Sequence, residues 1–177
     1  MSLNPLAQTL PGNRAAGWWL IAAALAVTLL LFGRQMLRIV LHATPHGLDA
    51  PLFLAQPTVL QIHILAAVAS VSVGAVILWA RKGRTFHRTM GWIWASLMAA
   101  TAGTSLFIVG LNGDVWSLIH LLSGWVLVTL PVAVWAARKH NVNLHRRVMT
   151  GIFWGASITA GAFAFLPGRL MWTLFMG

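Results

Sequence analysis

The chain has no cysteine. That absence excludes disulfides, thiolate metal sites, iron–sulfur clusters and covalent c-type haem attachment, and it leaves histidine as the strong ligand type. Carboxylates are nearly as scarce, since Asp49 and Asp114 are the only acidic residues against 12 of lysine and arginine. Neither falls inside an apolar run, so a proton pump built on intramembrane carboxylates is disfavoured. Charged residues of both signs are 8% of the chain and hydrophobic ones 59%. That balance lies beyond soluble globular domains and places the chain in a lipid bilayer. With 177 residues, there is room for one integral membrane domain and none for a large soluble catalytic head. The formal charge of +10 does not indicate nucleic acid, because the basic residues sit between apolar segments, where they set topology and meet anionic head groups.

What is present is a series of long apolar runs. They predict five transmembrane helices at 17–41, 58–80, 89–111, 115–137 and 147–166, each near the length that crosses about 30 Å of hydrocarbon. Residues 1–16 form a short polar lead that imitates a signal peptide, but no small-residue cleavage site follows the first run, so it is expected to remain as a helix. The connection 42–57, with Pro45, Gly47, Asp49, Pro51 and Pro57, is expected to be a structured or interfacial loop, and Leu111-Asn112-Gly113-Asp114 a tight turn. Residues 167–177 make a short C-terminal segment. Arg14, Arg81, Lys82, Arg84, Arg88, Arg138, Lys139, Arg146 and Arg147 fall on one side of these spans, and Arg34, Arg38 and Arg169 on the other. The larger group belongs in the cytoplasm, which puts the N terminus inside and the C terminus on the periplasmic side of a bacterial inner membrane.

Within the spans one pattern occurs twice. The first copy, 58–111, has His63, then Trp79-Ala80-Arg81-Lys82, then His87-Arg88; the second, 115–166, has His120, then Trp135-Ala136-Ala137-Arg138-Lys139, then His145-Arg146. From His63 to Arg81, and from His120 to Arg138, the separation is 18 residues. Such an internal repeat predicts an all-α membrane fold in which spans two to five form a pseudo-two-fold four-helix bundle of two parallel helical hairpins. His63 and His120 then lie about one turn below the outer surface, and His87 and His145 open their helices at the inner surface.

Histidine pairs on facing helices can hold an iron from both faces of a porphyrin. The pattern therefore predicts two haem b groups, with His63 and His120 as axial ligands of one and His87 and His145 of the other. Gly91 and Gly124 follow His87 and His120 by four residues and leave clearance for a flat macrocycle on the same helical face. His145 departs from this, with Met149 at that position. Arg34 and Arg38 oppose the charge bias and share a helix face at i and i+4, which makes them candidate partners for outer haem propionates. His42, His46 and His140 have no counterparts in the repeat and receive no ligand role. The bland readings are that the inner histidines anchor helices at the interface, that the deeper ones hydrogen-bond between helices, and that the arginines snorkel. Trp79, Trp116, Trp135 and Trp172 read as interface anchors. Small residues, among them Gly103, Ala156 and Gly161, are expected to permit close helix contacts.

The run Lys82-Gly83-Arg84-Thr85-Phe86-His87-Arg88-Thr89-Met90-Gly91, with His63 before it and His120, His145-Arg146, Met149 and Pro167-Gly168-Arg169 after it, resembles a family of bacterial predicted membrane proteins of unknown function. The likeness covers roughly residues 57–172 and implies an uncharacterised multi-pass membrane protein. The four histidines on four helices also look like the di-haem membrane cytochromes b, an architectural analogy. The resulting expectation is a membrane oxidoreductase or electron-transfer subunit working with quinol or another redox protein, and assembling as a homodimer or within a larger membrane complex. Two alternatives remain open: a cofactor-free accessory or interaction subunit, and a small histidine-based proton or metal transporter.

Overall fold

The computed structural model describes residues 33–109 and 118–176, together with positions 26 and 30. The N-terminal lead, most of the first span, the Leu111–Asp114 turn and the start of the fourth span lie outside the described residues. Two compact units emerge, Met1–Thr44 and Pro45–Gly177. In the first, residues 33–41 are helical, and Arg34 and Arg38 are exposed one turn apart.

The second unit begins with a short helix, α1 (Ala50–Leu54), whose N terminus is capped by Asp49: its carboxylate accepts from the Leu52 amide at 2.9 Å. One of the chain's two acidic side chains is thus engaged in local structure. The same corner is tied to the C-terminal helix α7 (Leu170–Phe175), since the His46 and Asp49 amides donate to the Phe175 and Leu174 carbonyls. Leu174 is fully buried there. The 42–57 connection is therefore structured, as its prolines and Asp49 suggest.

Four long elements follow. Pro57 starts α2 (Thr58–Trp79), a 22-residue helix; Gly83, at φ +80°, supplies the left-handed residue in the basic turn before α3 (Thr85–Ser105). Next is α4 (Leu118–Arg138), with Pro131 in its interior. It ends in a Schellman arrangement: the Asn141 amide returns to the Ala136 carbonyl and the His140 amide to that of Ala137. His140 takes the left-handed position at φ 57°, so this unpaired histidine is a turn residue. Asn141 then caps α5 (Val142–Gly151), its side chain accepting from the Leu144 amide at 3.1 Å. This helix runs without interruption through a π-helical stretch, Ile152–Ile158, into α6 (Thr159–Ala164). Helix therefore begins at Val142, several residues ahead of the apolar run 147–166, because the Asn141 cap starts it before the hydrophobic stretch.

The core lies where α3, α4 and the π-helical stretch meet. Trp94, Ala95, Met98 and Ala102 from α3 pack with Val126 and Leu130 from α4 and Ile152, Phe153 and Ala156 from the π-helical stretch. From α2 come small residues, Ala66, Ser70 and Gly74. The opposite faces are apolar and open, Leu65 and Val68 being 61% and 54% exposed. Helices α2 and α4 have mean hydropathies of 2.2 and 1.8 over an 18-residue window and are long enough to cross a membrane. An exposed apolar face on such helices suits lipid and would be unfavourable in water. Among the small residues, Ala66, Ala95, Ala102 and Ala156 are buried at helix contacts and Gly74 admits no Cβ, whereas a Cβ at Gly103, Gly155 or Gly161 would meet nothing within 4 Å.

Candidate functional site

The four candidate histidines, His63, His87, His120 and His145, all stand near the starts of long helices. His63, Ala66, Ser70 and Gly74 recur at helical spacing on the inward face of α2, which brings the His63 ring against α3. Its Nδ1 lies 3.0 Å from the Thr101 carbonyl and 3.1 Å from the Thr104 hydroxyl. A carbonyl can only accept, and the Thr104 hydroxyl gives its one hydrogen to the Ala100 carbonyl at 2.7 Å. Nδ1 must therefore be the protonated nitrogen, which leaves Nε2 with its lone pair in the neutral ring.

The same turn of α3 is approached from the other side by α4. Ser105 donates to the Ser123 hydroxyl across the interface, and Ser123 in turn donates to the Ile119 carbonyl. His120 sits one turn before Ser123 on the inward face of α4 and is 4% exposed. His63 thus touches the polar turn Thr101 to Ser105 from α2, and His120 lies one helical turn from Ser123, which touches it from α4.

At the basic end, the Asn141 cap fixes the first turn of α5 and with it His145. The His145 Nδ1 lies 3.0 Å from the Ala133 carbonyl of α4, and since a carbonyl can only accept, Nδ1 donates. His87 stands in the first turn of α3, ahead of the expected span 89–111, with its Nδ1 buried and without a hydrogen-bond partner. Burial holds the His87 imidazole below its ordinary range, and the nearby charges of His145 and Lys82 add to the effect. Both features favour the neutral ring. Lys82 itself donates to the Leu78 carbonyl and so closes the C terminus of α2.

Gly91 and Gly124 lie one turn beyond His87 and His120, and a Cβ at either would meet nothing within 4 Å. Protein packing does not require glycine at these positions. Between the two ends, Trp94, Met98 and Phe153 fill the core, and Ser157 reaches the Met98 sulfur at 3.3 Å. The histidines are thereby held at two separate levels. Among the described residues no group of three or more His, Cys, Asp or Glu is gathered as a metal site. Arg34 and Arg38 belong to the N-terminal unit.

Sequence reasoning missed the polar turn. Thr101, Thr104 and Ser105 on α3 and Ser123 on α4 are hydroxyl residues at helical spacing within apolar runs, a signal that was available. It also missed Asn141, which follows the left-handed His140 and precedes the helix that carries His145.

A model of the predicted membrane protein family DUF2306 matches residues 60–175. The chain belongs to that family. No curated protein and no solved structure matches it.

Proposed function

We propose that this member of the predicted membrane protein family is an inner-membrane b-type di-haem cytochrome of five spans. His63 and His120 hold one haem near the periplasmic face, and His87 and His145 hold the other near the cytoplasmic face. The observation that carries this reading is the state of the rings. Haem-ligating histidines characteristically donate the nitrogen not bound to metal to a carbonyl or carboxylate, which fixes tautomer and orientation. His63 and His145 each make such a bond through Nδ1, and His87 is disposed to remain neutral. The space beside Gly91 and Gly124 is of the kind a flat macrocycle needs, and the absence of cysteine requires attachment by coordination alone.

Bound haem would supply one-electron transfer between the two membrane faces. The chain's own contribution is to orient the His63 and His145 rings through their Nδ1 hydrogen bonds, to separate two levels by the Trp94–Met98–Phe153 core, and to exclude water from the interior. Arg34 and Arg38 remain candidate partners for the outer propionates, and quinol or another redox protein a candidate donor. The parallel-repeat bundle belongs to this proposal.

A second reading has its own support. The His63 ring is satisfied by Thr101 and Thr104 as an interhelical tie, so a cofactor-free accessory subunit would also retain it. Protein purified in mild detergent after haem-replete expression decides between them by pyridine haemochrome quantification. About two haems b per chain, the number set by two pairs of axial histidines, is the expected result; colourless, well-folded protein supports the accessory reading and overturns the cytochrome.

A further inference from the structure

On the flank where α3 meets α4, the basic end of the bundle opens into two hollows that share Trp92. One, of about 360 Å³, is lined by Thr85, Arg88, Thr89 and Trp92. The other, of about 400 Å³, runs from Trp92 and Arg138 past Ser96 and Ala99 on one wall and Leu130 and Pro131 on the other. The Arg138 guanidinium lies 5.5 Å from the centre of the Trp92 ring, at the junction of the two. Polarity therefore changes in one direction along the groove. Two arginines and two threonine hydroxyls lie in its first two turns, and small or apolar residues continue toward the middle of the helices. From Thr85 to Ala99 the helix rise spans about 20 Å.

Among the described residues no anion pairs with these cations. Asp49 and Asp114 are the only acidic side chains, and neither belongs to α3 or to the described part of α4. No salt bridge forms among the described residues. The amides of the first turn of α3 receive no side-chain cap, which adds donors beside Thr85 and Arg88. A free phosphate or sulfate would satisfy the polar hollow and leave the apolar trough unfilled. A neutral lipid would fill the trough and leave the arginines unmatched. The ligand that complements both is amphipathic and anionic. The groove also lies on a different face of α3 from His87, Gly91, Trp94 and Met98, so it is separate from the proposed haem level.

We propose that this groove is a specific site for one anionic glycerophospholipid, with its phosphate at Arg88 and Arg138 and an acyl chain along Ala99 and Leu130. The arginines act as charge-assisted donors to the phosphate, and Trp92 forms the wall between head and tail. Occupancy would staple α3 to α4 at their basic ends, independently of any cofactor.

The test uses delipidated full-length protein in detergent, titrated with phosphatidylglycerol or phosphatidylethanolamine of the same acyl chains and read by native mass spectrometry. The wild type is expected to retain one phosphatidylglycerol per chain in preference to phosphatidylethanolamine. The double variant Arg88→Gln/Arg138→Gln is expected to weaken that retention by about tenfold or more, the loss that follows removal of charge-assisted hydrogen bonds. Arg146→Gln/Arg147→Gln, which removes two exposed arginines of α5, should bind as the wild type does. Ala99→Phe, which plugs the trough and keeps both cations, should also lose the lipid; it reads the proposal even if the arginine variant does not fold. Equal binding of the two lipids, equal loss in the α5 control, retention by Ala99→Phe, or full displacement by inorganic phosphate would each overturn the assignment.

Discussion

Gly74 of α2 lies so close beneath Trp94 of α3 that a methyl group at position 74 would come within 2.6 Å of the indole Nε1 and 2.7 Å of the Phe153 ring. Three elements therefore meet at one point that admits no side chain, and the Trp94 N–H is buried there without a hydrogen-bond partner. Gly74→Ala must push α2 away from the core or turn two aromatic rings at once. The expected cost is about 1–3 kcal/mol, the usual range for overpacking, measured as lowered resistance to thermal unfolding in detergent. Unchanged stability would show that the helices separate at no cost.

Asn141 sets the start of the helix that carries His145. Replacing it with alanine removes the acceptor for the Leu144 amide and should destabilise the protein by about 1 kcal/mol. Loss of haem from the basic-end site should accompany it, with the His63 site less affected. Equal loss at both sites would show that the cap acts through general stability and not through His145.

The histidines should fall into two pairs. His63→Ala and His120→Ala are each expected to remove the same half of the haem, and His87→Ala and His145→Ala the other half, as read by redox difference spectra. Loss shared across the pairs, or no loss, would contradict the assignment.

Gly91→Leu and Gly124→Leu separate packing from clearance. Neither side chain would meet protein at its Cβ, so unfolding temperatures should stay near the wild type while haem occupancy falls. A variant that keeps its full complement of haem would remove the clearance argument.

Much of this was legible in the chain. Long apolar runs mark helices because a buried backbone in lipid must satisfy its own hydrogen bonds, and α2 and α4 appear where hydropathy places them. The polar corner before α2 was announced by its prolines and Asp49. Less legible were partners. Ile62, Leu65 and Val68 face outward and Ala66 and Ser70 inward, yet a helix apolar on all sides does not announce which face is buried, since lipid and protein core accept the same side chains. The π-helical stretch Ile152–Ile158 had no signature beyond nearby glycines, because its register depends on how Ile152, Phe153 and Ala156 seat against α3 and α4.

By itself the sequence determined the membrane character of the protein, its helical class, the segregation of its cations and the chemistry open to it: without cysteine and almost without carboxylates, histidine is the ligand that remains. These follow from composition and from the periodicity of a single chain. Only the tertiary structure decided that His63 is tied to Thr101 and Thr104, that Ser105 meets Ser123, that Gly74 yields to Trp94, and that Arg138 lies over Trp92. Those relationships join residues far apart in the chain, and they depend on crossing geometry and side-chain volume at helix contacts that no local pattern encodes.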